Sequence, residues 1–207
     1  MSFARASATA LLLLVPALAL GARWSEPEAM GLVTEAAIDE ISGLAASRRH
    51  PGLYWAHNDS GNTAELHLVD ERGRLQASVA TPGAPNLDWE DMASFHLDGR
   101  DYLMVADTGD NGGIRSELVR HVIEEPTSLE APARLAWSVR FRWPDGPRDC
   151  EAAAVDPVRG EVLLVSKKRV PAELFRVPLA RSDEQQVAEK VGNLPGIEQP
   201  DAGDLAR

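Results

Sequence analysis

A six-residue pattern recurs along the chain: Glu40-Ile-Ser-Gly-Leu-Ala45, Asp88-Trp-Glu-Asp-Met-Ala93, Asp149-Cys-Glu-Ala-Ala-Ala154 and Asp201-Ala-Gly-Asp-Leu-Ala206. Each copy opens on an acid and closes on Ala, and the starts lie 48, 61 and 52 residues apart. Asp and Glu are poor strand formers, so acids that return at this interval point to one structural unit used repeatedly. Internal repetition constrains the fold more than any composition figure does.

The rest of each unit follows the same plan. Leu53-Tyr-Trp-Ala-His-Asn-Asp-Ser-Gly61 lies 48 residues before Asp101-Tyr-Leu-Met-Val-Ala-Asp-Thr-Gly109, which sets Asp59 on Asp107, and Leu163 to Lys168 fills the same place in the third copy. A strand with alternating apolar residues comes next, at Leu66–Asp70, Leu118–Ile123 and Leu174–Val177. A more polar strand then closes each copy, at Leu75–Thr81, Arg134–Arg142 and Gln186–Val191. Turn signals end the units at Pro82-Gly83, Pro144-Asp145-Gly146 and Pro195-Gly196. Only Ser182–Lys190 has any helical periodicity.

Four short strands per unit of about 40 to 50 residues is the arithmetic of a β-propeller blade. The expected fold is all-β: about three four-stranded blades at 40–87, 88–148 and 149–200, plus the start of a fourth at 201–207. A β-sandwich also spaces short strands regularly, but it does not account for the repeated acid-led motif. Closed propellers take about four to eight blades, and an unclosed stack leaves a bare strand edge. The expectation is therefore the N-terminal part of a longer, truncated propeller, with self-association into a ring as the alternative.

Residues 1–22 differ in kind. A basic Arg5 precedes the apolar run Ala10–Leu20, and small residues follow at Ala19, Gly21 and Ala22, as in a cleavable export signal. The run is too short to span a bilayer, and no cysteine follows it to take a lipid. Residues 23–39 form a lead-in, and the expected location is periplasmic or secreted, with no membrane span after cleavage. With 21 basic against 32 acidic residues and a formal charge of -11, no basic stripe exists for nucleic acid. Cys150 is the sole cysteine, which excludes an intrachain disulfide and suits a small buried residue on a strand.

The leading acids Glu40, Asp88, Asp149 and Asp201 are the first candidates for chemistry. First strands line a propeller's central channel, so these acids would come round in a ring able to hold a hard cation such as Ca²⁺. The competing reading has each acid cap a turn in its own unit. Glu90, matched by Glu151, joins the candidate metal ligands. Strand alternation would set Asp88 and Glu90 on one face and Trp89 and Asp91 on the other, with Trp89 as packing. Asn58, Asp59, Asp107, Asp110, Asn111 and Arg115 cluster at strand exits, as turn formers or as ligand-binding loops. No catalytic residue is assigned: Ser60 lacks a nucleophile-elbow context, and the five histidines form no HExxH pair.

The motifs "EISGLAASRRHPGLYWAHNDSG", "LDWEDMA", "VADTGDN" with Arg115, and "DCEAAAVDP" together resemble a bacterial group of exported six-bladed β-propellers. That group is allied to the TolB-like, SdiA-regulated and phytase-like propellers, and the resemblance runs from about Glu40 to the C-terminus. It implies a six-bladed fold and export. Phytase-like relatives hold phosphate esters and an attacking water with Ca²⁺ and channel acids, whereas other relatives are binding scaffolds. The functional expectation is an exported, Ca²⁺-associated module that binds a small molecule or protein partner. The alternatives are a metal-dependent hydrolase of phosphate esters or lactones, with the cation on Asp88, Glu90, Asp149 and Glu151, and an inactive fragment.

Overall fold

The computed structural model describes residues 28–167 and 169–196; the proposed export signal, Lys168 and the acid-led run at Asp201 lie outside them. Among the described residues the chain is all-β and forms three sheets, with no helix. The first sheet contains β1 (Ile41–Ala46), β2 (Leu53–Asn58), β3 (Glu65–Asp70) and β4 (Leu75–Ala80), hydrogen-bonded in chain order. The second contains β5 (Trp89–Leu97), β6 (Arg100–Asp107), β7 (Leu118–Glu124) and β8 (Arg134–Arg142), again in chain order. The third contains β9 (Cys150–Asp156), β10 (Glu161–Ser166), β11 (Ala172–Pro178) and β13 (Glu189–Leu194). A two-residue strand β12 (Gln186–Val187) adds to β8 in parallel, giving sheets of four, five and four strands.

The sheets stack in succession, with β5 beside β1 on one side and beside β9 on the other. Trp55, Leu66, Leu68 and Val79 of the first sheet pack on Met92, Leu103, Val105 and Ile123 of the second. The second sheet's opposite face sets Phe95, Met104, Val122 and Phe141 against Val162, Leu164, Phe175 and Val177 of the third. A sheet buried on both faces has no use for polar alternation, so Leu103-Met104-Val105-Ala106 on β6 is an unbroken apolar run. The outlying strand β4 still alternates. Polar ties also cross the first interface: the Glu125 carboxylate, after β7, accepts the Arg48 and Arg49 amides at 3.0 and 3.2 Å and the Trp55 indole N–H at 3.0 Å.

Three expectations need correction. The Ser182–Lys190 stretch is extended rather than helical, because its backbone finds partners on β8 and β11. The closing run Gln186–Val191 is accordingly split: Gln186 and Val187 pair with β8, and only from Glu189 does the chain join the third sheet. The alignment of Asp59 with Asp107 is one residue out. Ile41 and Trp89 are equivalent at the openings of β1 and β5, and they pair with Asn58 and Asp107 respectively. The β5–β6 hairpin holds the extra residue, turning at Asp98-Gly99 with φ of 48° and 76°, the left-handed pair a two-residue Asp-Gly turn requires.

Candidate metal centre

The opening of every first strand carries a β-bulge. Pairing skips Ser42 between Ile41 and Gly43, Glu90 between Trp89 and Asp91, and Glu151 between Cys150 and Ala152. A bulge re-aims the extra side chain out of the ladder. Strand alternation is therefore not what brings Asp88 and Glu90 together, and Trp89 and Asp91 do not share a face. Trp89 packs toward the first sheet, edge-on to His57, while the Asp91 carboxylate reaches toward the third and accepts the Ala153 amide at 2.6 Å.

Because β1, β5 and β9 are neighbours, their bulged ends converge. Asp59, Asp88 and Glu90 each offer a carboxylate oxygen within 4.8 Å of the others, and Glu90, Asp149 and Glu151 do the same. Glu90 belongs to both groups and is only 3% exposed. Its hydroxyl neighbour is Ser42, the bulge residue of β1, which donates to the Glu90 carbonyl at 2.7 Å and lies 3.4 Å from its carboxylate. A Cβ at Gly109 would overlap Glu90 Oε1 and the Asp88 carboxylate, so glycine lets this loop pass over the acids without displacing them.

Electrostatics follow from the crowding. Burial, and then the charges of Glu151, Asp59, Asp88 and Asp149, push the Glu90 carboxyl up to about 9. Burial also raises Asp88, against a hydrogen bond from Ser60 and with Asp59 and Asp149 adding to the rise. Lys167 pairs with Glu151. Burial pulls the Lys167 ammonium down, but Glu151, Asp149 and Glu90 outweigh it and leave it above its ordinary value. Glu151 nevertheless stays raised, because burial outweighs Lys167. Among the described residues one ammonium thus stands among five carboxylates, and the Arg115 guanidinium adds a weaker pull on Asp88.

The predicted residues divide unevenly. Asp88, Glu90, Asp149 and Glu151 are brought together, and Asp59, assigned by sequence to a ligand-binding loop, joins them. Glu40 does not: it is exposed, and its carboxylate accepts Asn62 Nδ2 at 2.9 Å. Asp201 lies outside the described residues. Asn58 donates to the Ala37 carbonyl at 2.9 Å. Asp107 accepts the Leu87 and Asp88 amides, both at 3.2 Å, and the Arg115 guanidinium at 2.7 Å. Burial alone would raise Asp107; the adjacent His121 ring and Arg115 hold it below the usual carboxylate range. Asp110 accepts the Ile114 and Arg115 amides, Arg115 also donates to the Gly109 carbonyl, and Asn111 is exposed at the loop's tip. These side chains brace the 107–115 loop, which reaches the acids through backbone: the Asp110 amide donates to Asp149 Oδ1 at 2.9 Å.

Sequence reasoning missed the Ser42 hydroxyl; the structure adds to it the space at Gly109 and Lys167, a basic residue at the third unit's strand exit that sits within the cluster. A hydrogen-bond signature relates the last two to Asp59. The amides of Asp59, Gly109 and Lys167 donate to the carbonyls of Glu40, Asp88 and Asp149, so one backbone position carries an acid, a glycine and a lysine in turn. Cys150 is fully buried, and burial pushes its thiol up to about 12, which keeps it unreactive. No protein-family model matches the chain, and no curated protein matches it.

Proposed function

We propose that the chain is a cation-binding module built from three sectors of a β-propeller, whose strand-opening carboxylates hold a divalent metal, Ca²⁺ before others. The observation that carries this is Glu90, a buried acid shared by two carboxylate groups and crowded by like charges. A bound cation would relieve that crowding directly. The donor set fits a hard ion: every candidate ligand is a carboxylate, with no His or Cys among them. Ca²⁺ tolerates irregular oxygen coordination, whereas Mg²⁺ demands near-octahedral geometry and retains water. Asp59, Asp88, Glu90 and Asp149 would supply ligands, and Glu151 would add one if Lys167 turned aside. The propeller assignment draws on the repeated bulged first strands and on the resemblance set out above. Export to the periplasm or beyond draws on the character of residues 1–22.

Ligand or partner binding is the role that suits such a module. Hydrolysis of phosphate esters is the second reading, and Lys167 favours it: an ammonium beside a cation site is the arrangement that holds an anionic ester. Isothermal titration of the metal-free full chain with Ca²⁺, Mg²⁺ and Zn²⁺ tests the leading reading. Saturable binding with Ca²⁺ preferred is expected, and heats indistinguishable from dilution for all three ions would remove it. A screen of phosphomonoesters in Ca²⁺ tests the second.

A further inference from the structure

We infer that Arg120 and Trp137 hold a small monovalent anion, chloride or a short carboxylate such as formate, between the second and third sheets. The pairing of β7 with β8 sets Arg120 opposite Val139 and Val122 opposite Trp137. Arg120 and Trp137 are therefore diagonal neighbours on one face, a spacing that long and aromatic side chains can bridge. That face packs on the third sheet. One guanidinium nitrogen, Nη2, donates across the interface to the Pro178 carbonyl and to Gln186 Oε1. Arg120 Nε, Arg120 Nη1 and Trp137 Nε1 are buried and find no acceptor among the described residues.

The charge lacks a counterpart as well. Arg120 is 1% exposed, and burial alone acts on it. The acids nearest in the sheet are engaged elsewhere. Glu117 pairs with Arg140 at 3.7 Å and accepts Gln185 at 2.9 Å. Asp91, two strands away in the same cross-strand row, accepts the Met92 and Ala153 amides. Packing does not require arginine here, as the repeat shows. His67–Ser78 and His121–Ser138 are equivalent cross-strand pairs, so Leu66 holds the place of Arg120 in the first sheet. The row Asp91–Ala106–Arg120 matches Ala152–Val165–Leu174 in the third. Leucine fills the place twice, and the middle sheet buries a cation there instead. A buried charge with unmade hydrogen bonds is costly, and an anion supplies both the opposite charge and the acceptor. A close-packed interior favours a small ion. Trp137 also lines a cleft of about 420 Å³ with Leu97, Asp98, Tyr102, Leu179 and Arg181, which gives a way in. Arg181 lies over the Trp137 ring at 4.5 Å and makes that wall cationic, whereas Asp98 is exposed on the β5–β6 turn.

Thermal unfolding of the full chain in chelator, with chloride or formate exchanged for gluconate at constant ionic strength, tests the site apart from any cation. The melting temperature should rise by about 3–6 °C for each tenfold increase in the preferred anion above its dissociation constant. Arg120→Met should lose this dependence. Trp137→Phe keeps the charge but removes one donor, and should raise the dissociation constant about tenfold. Chloride-35 line broadening on the wild type reads binding without any variant, and competition by formate shows which of the two anions is preferred. A wild type with neither saturable broadening nor anion-dependent melting would overturn the proposal and leave the donors to internal water. Full anion dependence in Arg120→Met, or an unchanged dissociation constant in Trp137→Phe, would place the ion elsewhere and overturn it too.

Discussion

Replacing Glu90 by Gln separates a metal ligand from an ordinary buried polar group. The Glu90 carboxyl sits near 9 in the folded, metal-free protein against 4.5 for the unreacted group, so it is protonated at neutral pH. Between those two values the folded state holds a proton that the unfolded state has released. Stability therefore falls as pH rises above 4.5, and levels off once pH passes the folded value. At pH 7 the gap between solution pH and the unfolded value corresponds to about 3 kcal/mol, taken at 1.36 kcal/mol per unit. Glutamine has the same shape and carries no such linkage. In chelator at pH 7 the variant should be the more stable protein by up to about 3 kcal/mol, and its melting temperature higher by about 6–12 °C. At pH 4 the two should coincide. Added Ca²⁺ reverses the order once it reaches about 1,000 times its dissociation constant, where it stabilises the wild type by about 4.1 kcal/mol while the variant has lost the shared carboxylate. Thermal unfolding at three pH values, with chelator and with Ca²⁺, reads all of this. A variant less stable than wild type in chelator, or one that gains as much from Ca²⁺, would refute the reasoning.

Three further outcomes follow from the same structure. Glu125→Gln can keep one oxygen toward the Arg48, Arg49 and Trp55 donors but removes the charge they bond and sets amide hydrogens against the Arg48 amide at the second oxygen, and should cost about 1–2 kcal/mol in urea unfolding. Arg120 is 1% exposed, bonds Gln186 Oε1 and the Pro178 carbonyl through one nitrogen, and is lowered to about 10 by burial. Arg120→Met should therefore be neutral or stabilising by up to about 2 kcal/mol in the same assay, because removing a poorly compensated buried charge offsets the lost bonds. Asp59→Asn should weaken Ca²⁺ binding by calorimetry more than Glu151→Gln does, since Lys167 already occupies Glu151.

Strand positions were legible because the second and third strands of each unit announce themselves by apolar runs. The predicted strand at Arg134–Arg142 coincides with β8 residue for residue. The pairing of Glu90 with Glu151 was legible too, since the two occupy the same place in their motifs. What the residues could not disclose is backbone pairing. A bulge at Ser42, Glu90 or Glu151 leaves no mark in side-chain identity, yet it decides which way three side chains turn. The one-residue difference between the first two hairpins likewise moves Asp59 away from Asp107 and into the acid cluster. Glu40 was expected in the cluster because it leads its motif, but β1 carries Ser at the bulge and Glu40 is exposed.

The acid cluster is also where the chain departs from what stability alone would select. A buried carboxyl surrounded by like charges weakens the fold, and a serine at the Glu90 bulge, as at Ser42, would remove the problem. Instead the surroundings hold the acids in place. Asp107 clamps the Leu87 and Asp88 amides, Arg115 ties Asp107 to the Gly109 carbonyl, and Gly109 leaves the acids their space. The single position occupied in turn by Asp59, Gly109 and Lys167 then grades the charge across the cluster. Asp59 adds a donor on the first-sheet side, Gly109 leaves the middle open, and Lys167 neutralises one acid on the third-sheet side. A repeat that only capped its own turns would have no reason to vary that one position so sharply, and a cation seated toward Asp59, Asp88 and Glu90 gives it one.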